Sequence, residues 1–374
     1  RGSYKNFMGQ YRDREIEGIY REEILSGKTK TRESRDASLQ KFIKTKARNM
    51  RDYTDACFRY LRATGFVSIS QKGRSLSILS EKVEEVKYFL EHIDRKPCFI
   101  DSEARYKEYL FDARLPVLYT DDRGNLEREA LRLTSMGSKE IAERTIDELK
   151  KDIRNVVRIR KDSIICDQVQ RLKAFKCYTD IINVYNDIKN NSYYDLPLML
   201  EWNTWRAMTM LDGGDIMANL KFDDDGQPMA TAAGNMADIV CDYGDFSLSV
   251  EVTMSTGQRQ YEMEGEPVSR HLAKLKKNQG KDAYCFFIAP KINEACIAHF
   301  FTLHLANIAF YGGKSVIIPM ELSVFERMLE QSANAPHAPS PVQVRNLCEY
   351  SMRTAETAKD EYEWYHAVRE KALN

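Results

Sequence analysis

The chain has 374 residues, 43% hydrophobic and 30% charged, a balance that suits a soluble globular protein with two or three cores and excludes a disordered or fibrous one. Net charge is zero but unevenly spread: residues 1–80 hold 18 Lys/Arg against 9 Asp/Glu, and the remainder 38 against 47. A basic N-terminal part joined to an acidic remainder suits a nucleic-acid-binding module attached to something that concentrates carboxylates.

The opening RGSYKNFMGQ lacks the apolar core of a secretion signal, and no segment approaches the roughly 18 apolar residues of a membrane span, so a cytoplasmic location is expected. The first residue is Arg1 rather than Met, which reads as a processed product or a fragment. Eight cysteines without a CxxC pair argue against a zinc ribbon or a disulfide framework and are expected to be buried thiols.

From about Ser38, the run LQKFIKTKARNMRDYTDACFRYLRATG spaces Phe42, Ile43, Met50, Tyr53, Cys57, Tyr60 and Leu61 near a helical period and ends at Gly65. FVSIS and SLSIL then flank QKGR as a short hairpin, and SEKVEEVKYFLEHI follows as a second amphipathic helix. Helix, hairpin, helix is the outline of a winged-helix unit. Lys41, Lys44, Lys46, Arg48 and Arg51 on its first helix, with Lys72 and Arg74 at the hairpin tip, are the expected phosphate contacts to double-stranded DNA. The competing use of such a unit is protein contact, with the basic residues merely solvated.

Residues 1–98 are therefore expected to form a winged-helix DNA-binding part, 99–192 a helical linker and 193–374 an α/β domain. In the last, a helix follows Asp195-Leu196-Pro197, then a hairpin ADIVCDYGDFSLSVEVT, a helix from about Met263, a buried strand AYCFFIAP, a helix around Ala295 to Ala306, a strand SVIIPM and a helix after Glu321. The Pro-rich loop APHAPSP precedes a long terminal helix on which Leu347, Met352, Tyr362 and Trp364 form an apolar stripe available for dimerisation or core packing.

With Gly244-Asp245 as the turn of the hairpin, Tyr243 faces Phe246 and Asp238 falls directly opposite Glu251. Opposed residues have β-carbons about 4.5–5.5 Å apart, and like charges so placed weaken a sheet. A hard divalent cation such as Mg²⁺ compensates, since one or two carboxylates are how proteins hold it beside a phosphate. The alternative is an exposed acidic face with both carboxylates solvated. Glu201 sits in an apolar helix beside Leu198, Trp202 and Trp205, while Glu264 and His271, seven apart, share one helix face.

EWNTW at Glu201, AAGN before Asp238, EVT at Glu251 and MEGEPVSRH through His271 resemble, in order, the active-site blocks of the AlwI-type restriction endonucleases. These bacterial proteins include large subunits of heterodimeric type IIS enzymes that act alone as nicking endonucleases. The resemblance implies a PD-(D/E)xK restriction-endonuclease-like core with Glu201, Asp238, Glu251, Glu264 and His271 at catalytic positions, and Mg²⁺ held by Asp238, Glu251 and the Val252 carbonyl. It also implies a second catalytic subunit or a homodimer for double-strand cleavage. One departure stands out: the superfamily's Glu-x-Lys is here Glu251-Val252-Thr253, so Glu264 or His271 is expected to replace the lysine. Readings from other classes are a winged-helix regulator with a non-catalytic α/β domain, and a structure-directed repair nuclease.

Overall fold

The computed structural model describes residues 4–72, 75–79, 82–93, 101–112, 114, 117–174, 177–223, 226–336 and 340–373. The chain divides into two compact units, one of Arg1–Ile69 with Ser75–Glu91, the other of Ser70–Arg74 with His92–Asn374.

In the first unit, α1 (Tyr4–Ile19) and α2 (Arg21–Leu25) precede the 25-residue α3 (Leu39–Ala63). Ser38 caps α3 by accepting a hydrogen bond from the Lys41 amide, and Gly65 takes the positive φ that ends it. Ile16, Ile43 and Ala47 form a small core, beside which Tyr20 meets Phe42 edge-on at 5.8 Å. β1 (Val67–Ile69) pairs antiparallel with β2 (Leu76–Ile78), Val67 opposite Ile78, and α4 (Val83–His92) follows. The expected order of helix, hairpin and helix is present. α1 was not legible because it is a polar helix that, among the described residues, contributes only Ile16 to the buried core.

The second unit begins with α5 (Glu103–Phe111), α6 (Arg123–Leu133), α7 (Ser138–Glu143), α8 (Ile146–Lys173) and α9 (Tyr178–Lys189). Thus much of the stretch before Ser138, without a clear period in sequence, is also helical. Leu126, Ala130, Ile141 and Leu149 close a small core between α6, α7 and α8. α10 (Leu196–Leu211) starts as expected, with Asp195 accepting from the Leu198 amide and Pro197 in the first turn.

Then come β3 (Asp215–Ala218), β4 (Lys221–Phe222), β5 (Pro228–Ala230), β6 (Ile239–Asp242), β7 (Phe246–Val252), α11 (Gln258–Gln279), β8 (Asp282–Ala289), α12 (Glu294–Leu305), β9 (Ile317–Glu321) and α13 (Leu322–Asn334). β3, β6, β7, β8 and β9 form a five-stranded mixed sheet in that order, antiparallel from β3 to β7 and parallel from β7 to β9. β8 is buried along nearly its whole length, as an unbroken apolar strand covered on both faces should be. α11 begins at Gln258, five residues before the expected Met263.

Two expectations are corrected. The terminal helix is two helices, α14 (Pro341–Thr357) and α15 (Glu361–Ala372), because the Asp360 carboxylate accepts from the Tyr362 and Glu363 amides and caps a new start. Its apolar residues are mainly core: Leu347 and Trp364 are buried, and Tyr362 alone of the four stays exposed. Cys241, Cys285, Cys296 and Cys348 are buried thiols, whereas Cys57 and Cys166 are exposed. Among the described residues no helix is long and apolar enough to cross a membrane.

Trp364 closes a buried network with His304 and Ser351. The His304 Nδ1–H donates to the Phe300 carbonyl at 2.8 Å, its Nε2 accepts from Ser351 Oγ at 3.0 Å, and Trp364 Nε1 donates to the Ser351 carbonyl at 3.1 Å. Burial, more than anything else, pushes His304 down to about 4 from its usual 6.5, so the folded state resists a proton that the unfolded chain takes up. Between pH 6.5 and 4 the unfolded state binds more protons; stability is therefore full above that window and is lost as pH falls through it, by an amount on the order of 3 kcal/mol. Denaturant melts from pH 7 to 4.5 should show this loss, and His304→Gln should flatten the acid limb.

Candidate active site

The hairpin has the register read from the sequence: Ile239 pairs with Val250, Cys241 with Leu248 and Asp242 with Ser247, across a turn where Gly244 adopts φ +86°. That register carries on to set Asp238, just ahead of β6, against Glu251. The Val252 amide donates to Asp238 Oδ2 at 2.8 Å, tying the first acid to the backbone beside the second.

The polar face of β7 is not solvated. α11 covers it: Ser247 Oγ bonds Gln279, the Glu251 Oε1 lies 3.0 Å from His271 Nδ1, and Ser247 and Ser249 are fully buried. Glu251 is 5% exposed, which rules out the open acidic hairpin face. Glu201, on α10, is 3% exposed and accepts from the Ala232 amide at 2.8 Å, so the segment leading to Asp238 is tied to it. Glu264 is half-buried on α11, two turns before His271.

Among the described residues no lysine or arginine forms an ion pair with Glu201, Asp238, Glu251 or Glu264. The consequence is electrostatic. Burial first, and then the Asp238 charge, push Glu201 up to about 9. Burial and then Glu251 hold Asp238 well above the carboxylate range, against the pull of the Val252 amide. Glu251 is likewise raised, by burial, then Glu264, with Glu201 adding to it. Burial and then Arg270 lower His271, so it is neutral at pH 7 and carries a proton on one nitrogen.

These acids are oxygen donors short of positive charge, which is the chemistry a hard divalent cation meets. The donor set fits such an ion. Among the described residues, however, no three His, Cys, Asp or Glu side chains stand close enough to form a finished coordination shell; Asp238, Glu201 and Glu251 are instead turned toward Val252, Ala232 and His271.

Thr253, where the superfamily pattern has lysine, is buried, and its hydroxyl accepts from the Ser255 amide at 3.0 Å. Sequence reading missed the supports of the site. Gln260, wholly buried in the first turn of α11, donates through Nε2 to the Ser255 carbonyl at 2.8 Å and the Lys291 carbonyl at 2.9 Å, and accepts from the Asn293 amide at 2.8 Å. It pins the turn after β7 to the turn after β8. Asn235, at φ +69°, accepts from Arg270 through its side chain and from Lys274 Nζ at 3.1 Å through its carbonyl.

On α3, Lys41, Lys44, Arg48 and Arg51 are exposed, and their spacings of three and four residues form one stripe. Lys46 is instead half-buried over the Tyr20 ring, 4.3 Å from its centroid. Lys72 is ion-paired to Asp187 at 2.6 Å. Arg74 lies outside the described residues.

A family model described as AlwI restriction endonuclease matches residues 6–328, well over half of the chain. No curated protein matches. Among solved structures, the small subunit (R.BspD6I2) of the heterodimeric restriction endonuclease R.BspD6I is similar, at 24% identity over 51% of this chain and 98% of that one, with a TM-score of 0.45.

Because the acids repel one another when no cation is bound, Asp238→Asn should stabilise the protein in chelator by about 1–3 kcal/mol, and added Mg²⁺ should narrow the difference. Thermal melts with and without the ion measure this; a destabilised Asp238→Asn in chelator would contradict it.

Proposed function

The chain belongs to the AlwI restriction endonuclease family, and from that membership we propose that it is a type IIS-like, site-specific endonuclease that hydrolyses DNA phosphodiester bonds with Mg²⁺. The observation that carries this reading is the meeting of the half-buried Asp238 and the buried Glu251 across the β6–β7 turn, with no lysine or arginine paired to either among the described residues. Asp238 and Glu251, with the Val252 carbonyl, would hold the ion, and Glu201 and Glu264 complete its acidic surroundings. When bound, such an ion offsets charge developing on the phosphate and makes water acidic enough to attack at neutral pH.

The protein's own part is positional. The Val252 amide fixes the rotamer of Asp238, and His271 Nδ1–H holds the Glu251 carboxylate. His271 is neutral, and its Nε2 has no partner among the described residues, so it can accept a proton from the attacking water. That gives His271 the task the motif lysine would have, with Glu264 two turns away on the same helix face adding negative charge that favours the imidazolium.

Residues 1–98 act, in this reading, as a winged-helix DNA-binding part, 99–192 as the connector and 193–374 as the PD-(D/E)xK domain. The α3 stripe Lys41, Lys44, Arg48 and Arg51 meets DNA phosphates. A single centre cuts one strand, so double-strand cleavage calls for a second catalytic subunit or another copy.

Supercoiled plasmid with Mg²⁺ should be cleaved and with chelator left intact; relaxed circles signify nicking and linear product paired cuts. Asp238→Asn and Glu251→Gln should each lose on the order of 100-fold or more in rate, and His271→Ala about 10- to 100-fold. If both acid variants cut at the wild-type rate, the assignment fails. Replacing Lys44 and Arg48 by Gln should lower the slope of log affinity against log salt by about 2 without changing the cleavage position.

A further inference from the structure

The second unit carries a cavity of about 540 Å³ lined by Lys276, Lys281, Lys314, Arg345 and Arg353. It is remote from the acids. Asp282, on its wall, pairs with Phe246 at the start of β7, whereas Glu251 pairs with Phe287; five residues of strand, about 16 Å, lie between.

The charges of this cavity do not balance among themselves. Its two carboxylates, Asp282 and Glu349, are both taken by Arg345, at 3.2 and 3.0 Å. Lys281 is held by Asp242 and by the Gly244 carbonyl, and Lys314 by Glu356 at 2.8 Å. Two cations are left over. The half-buried Lys276 ammonium donates to the Lys314 carbonyl at 2.6 Å and has no carboxylate partner among the described residues. Arg353 is exposed, and its guanidinium has no partner among the described residues.

A desolvated ammonium is normally neutralised by a counter-charge, because burying it alone is costly. Consistent with that, burial and nothing else pulls Lys276 below its ordinary value. The missing partner must be an anion with several acceptor oxygens, since a guanidinium and an ammonium from different elements face the same space. Phosphate fits both: a guanidinium binds it through two parallel bonds, and a lysine as a point charge. The volume is that of a small-ligand site, and Tyr284 and Met352 supply an apolar wall beside the cations.

We propose that this cavity binds a phosphate group of a nucleotide or of a DNA backbone, with Lys276 and Arg353 as its direct ligands. None of its residues belongs to the acidic centre, so the inference stands apart from the cleavage reading. The site needs no metal ion.

The test uses the whole chain in chelator. Inorganic phosphate should raise the melting temperature, with a dissociation constant of roughly 1 mM or below by calorimetry. Lys276→Met should melt higher than wild type without phosphate, because the unneutralised charge is gone, and should lose the phosphate-induced rise. Arg353→Gln, an exposed change that leaves the fold intact, should weaken phosphate at least about tenfold, while Lys291→Gln, at the far end of β8, should bind as wild type does. Displacement of phosphate by a deoxynucleoside monophosphate assigns the site to free nucleotide; displacement by duplex DNA alone assigns it to the backbone. No shift in the wild type at about 10 mM phosphate, equal shifts in the wild type and both variants, or displacement by neither competitor overturns the proposal.

Discussion

The constraint on which the five-stranded sheet and its covering helices depend is that two carboxylates, Asp238 and Glu251, are held within one another's fields. A surface pair would relax by rotating into water; Glu251 has no such exit beneath α11, and the Oδ2 of Asp238 is held by the Val252 amide. Each therefore carries the other's repulsion as well as its own desolvation, and Glu201 and Glu264 add to it. A fold keeps an arrangement this unfavourable only where it is used, since replacing either acid by its amide would be the simpler route to stability.

The scaffold around that contact is correspondingly over-determined. Parallel pairing fixes β7 against β8 along its full length, and Gln260 joins the turns that leave both strands. Glu201 and Asn235 restrain the loop ahead of Asp238 from opposite sides in sequence, one from α10 and the other through cations on α11. The acids thus sit on rigid strand and helix ends with the connecting loops fastened, so their positions relative to one another are tightly set.

The hairpin was legible because its period of two and its Gly-Asp turn admit one register, and any slip would have moved every apolar residue to the other face. The α10 start was legible from Asp195 and Pro197, and the order of strands and helices after it from alternation and apolar runs. Burial of the acid face was not: Ser247, Ser249, Glu251 and Thr253 look like a solvated face until α11 is laid over them. Nor does one sequence show that Gln260, a polar residue in a polar stretch, is wholly buried, or that Lys72 is spoken for by Asp187, 115 residues away. Interactions that join distant segments through single polar groups leave no local period to detect.

The same electrostatics bear on position 253, which is threonine where the resemblance would have lysine. Thr253 brings no charge to the acid face, and its hydroxyl accepts from the Ser255 amide. His271, neutral at pH 7, orients Glu251 by a hydrogen bond and adds no positive charge to the cluster. It acquires charge only if it takes a proton, and at that moment it lies 3.0 Å from a carboxylate that stabilises it. The cost of burying an imidazolium is thus absent from the resting protein, where His271 positions Glu251 without adding charge beside it.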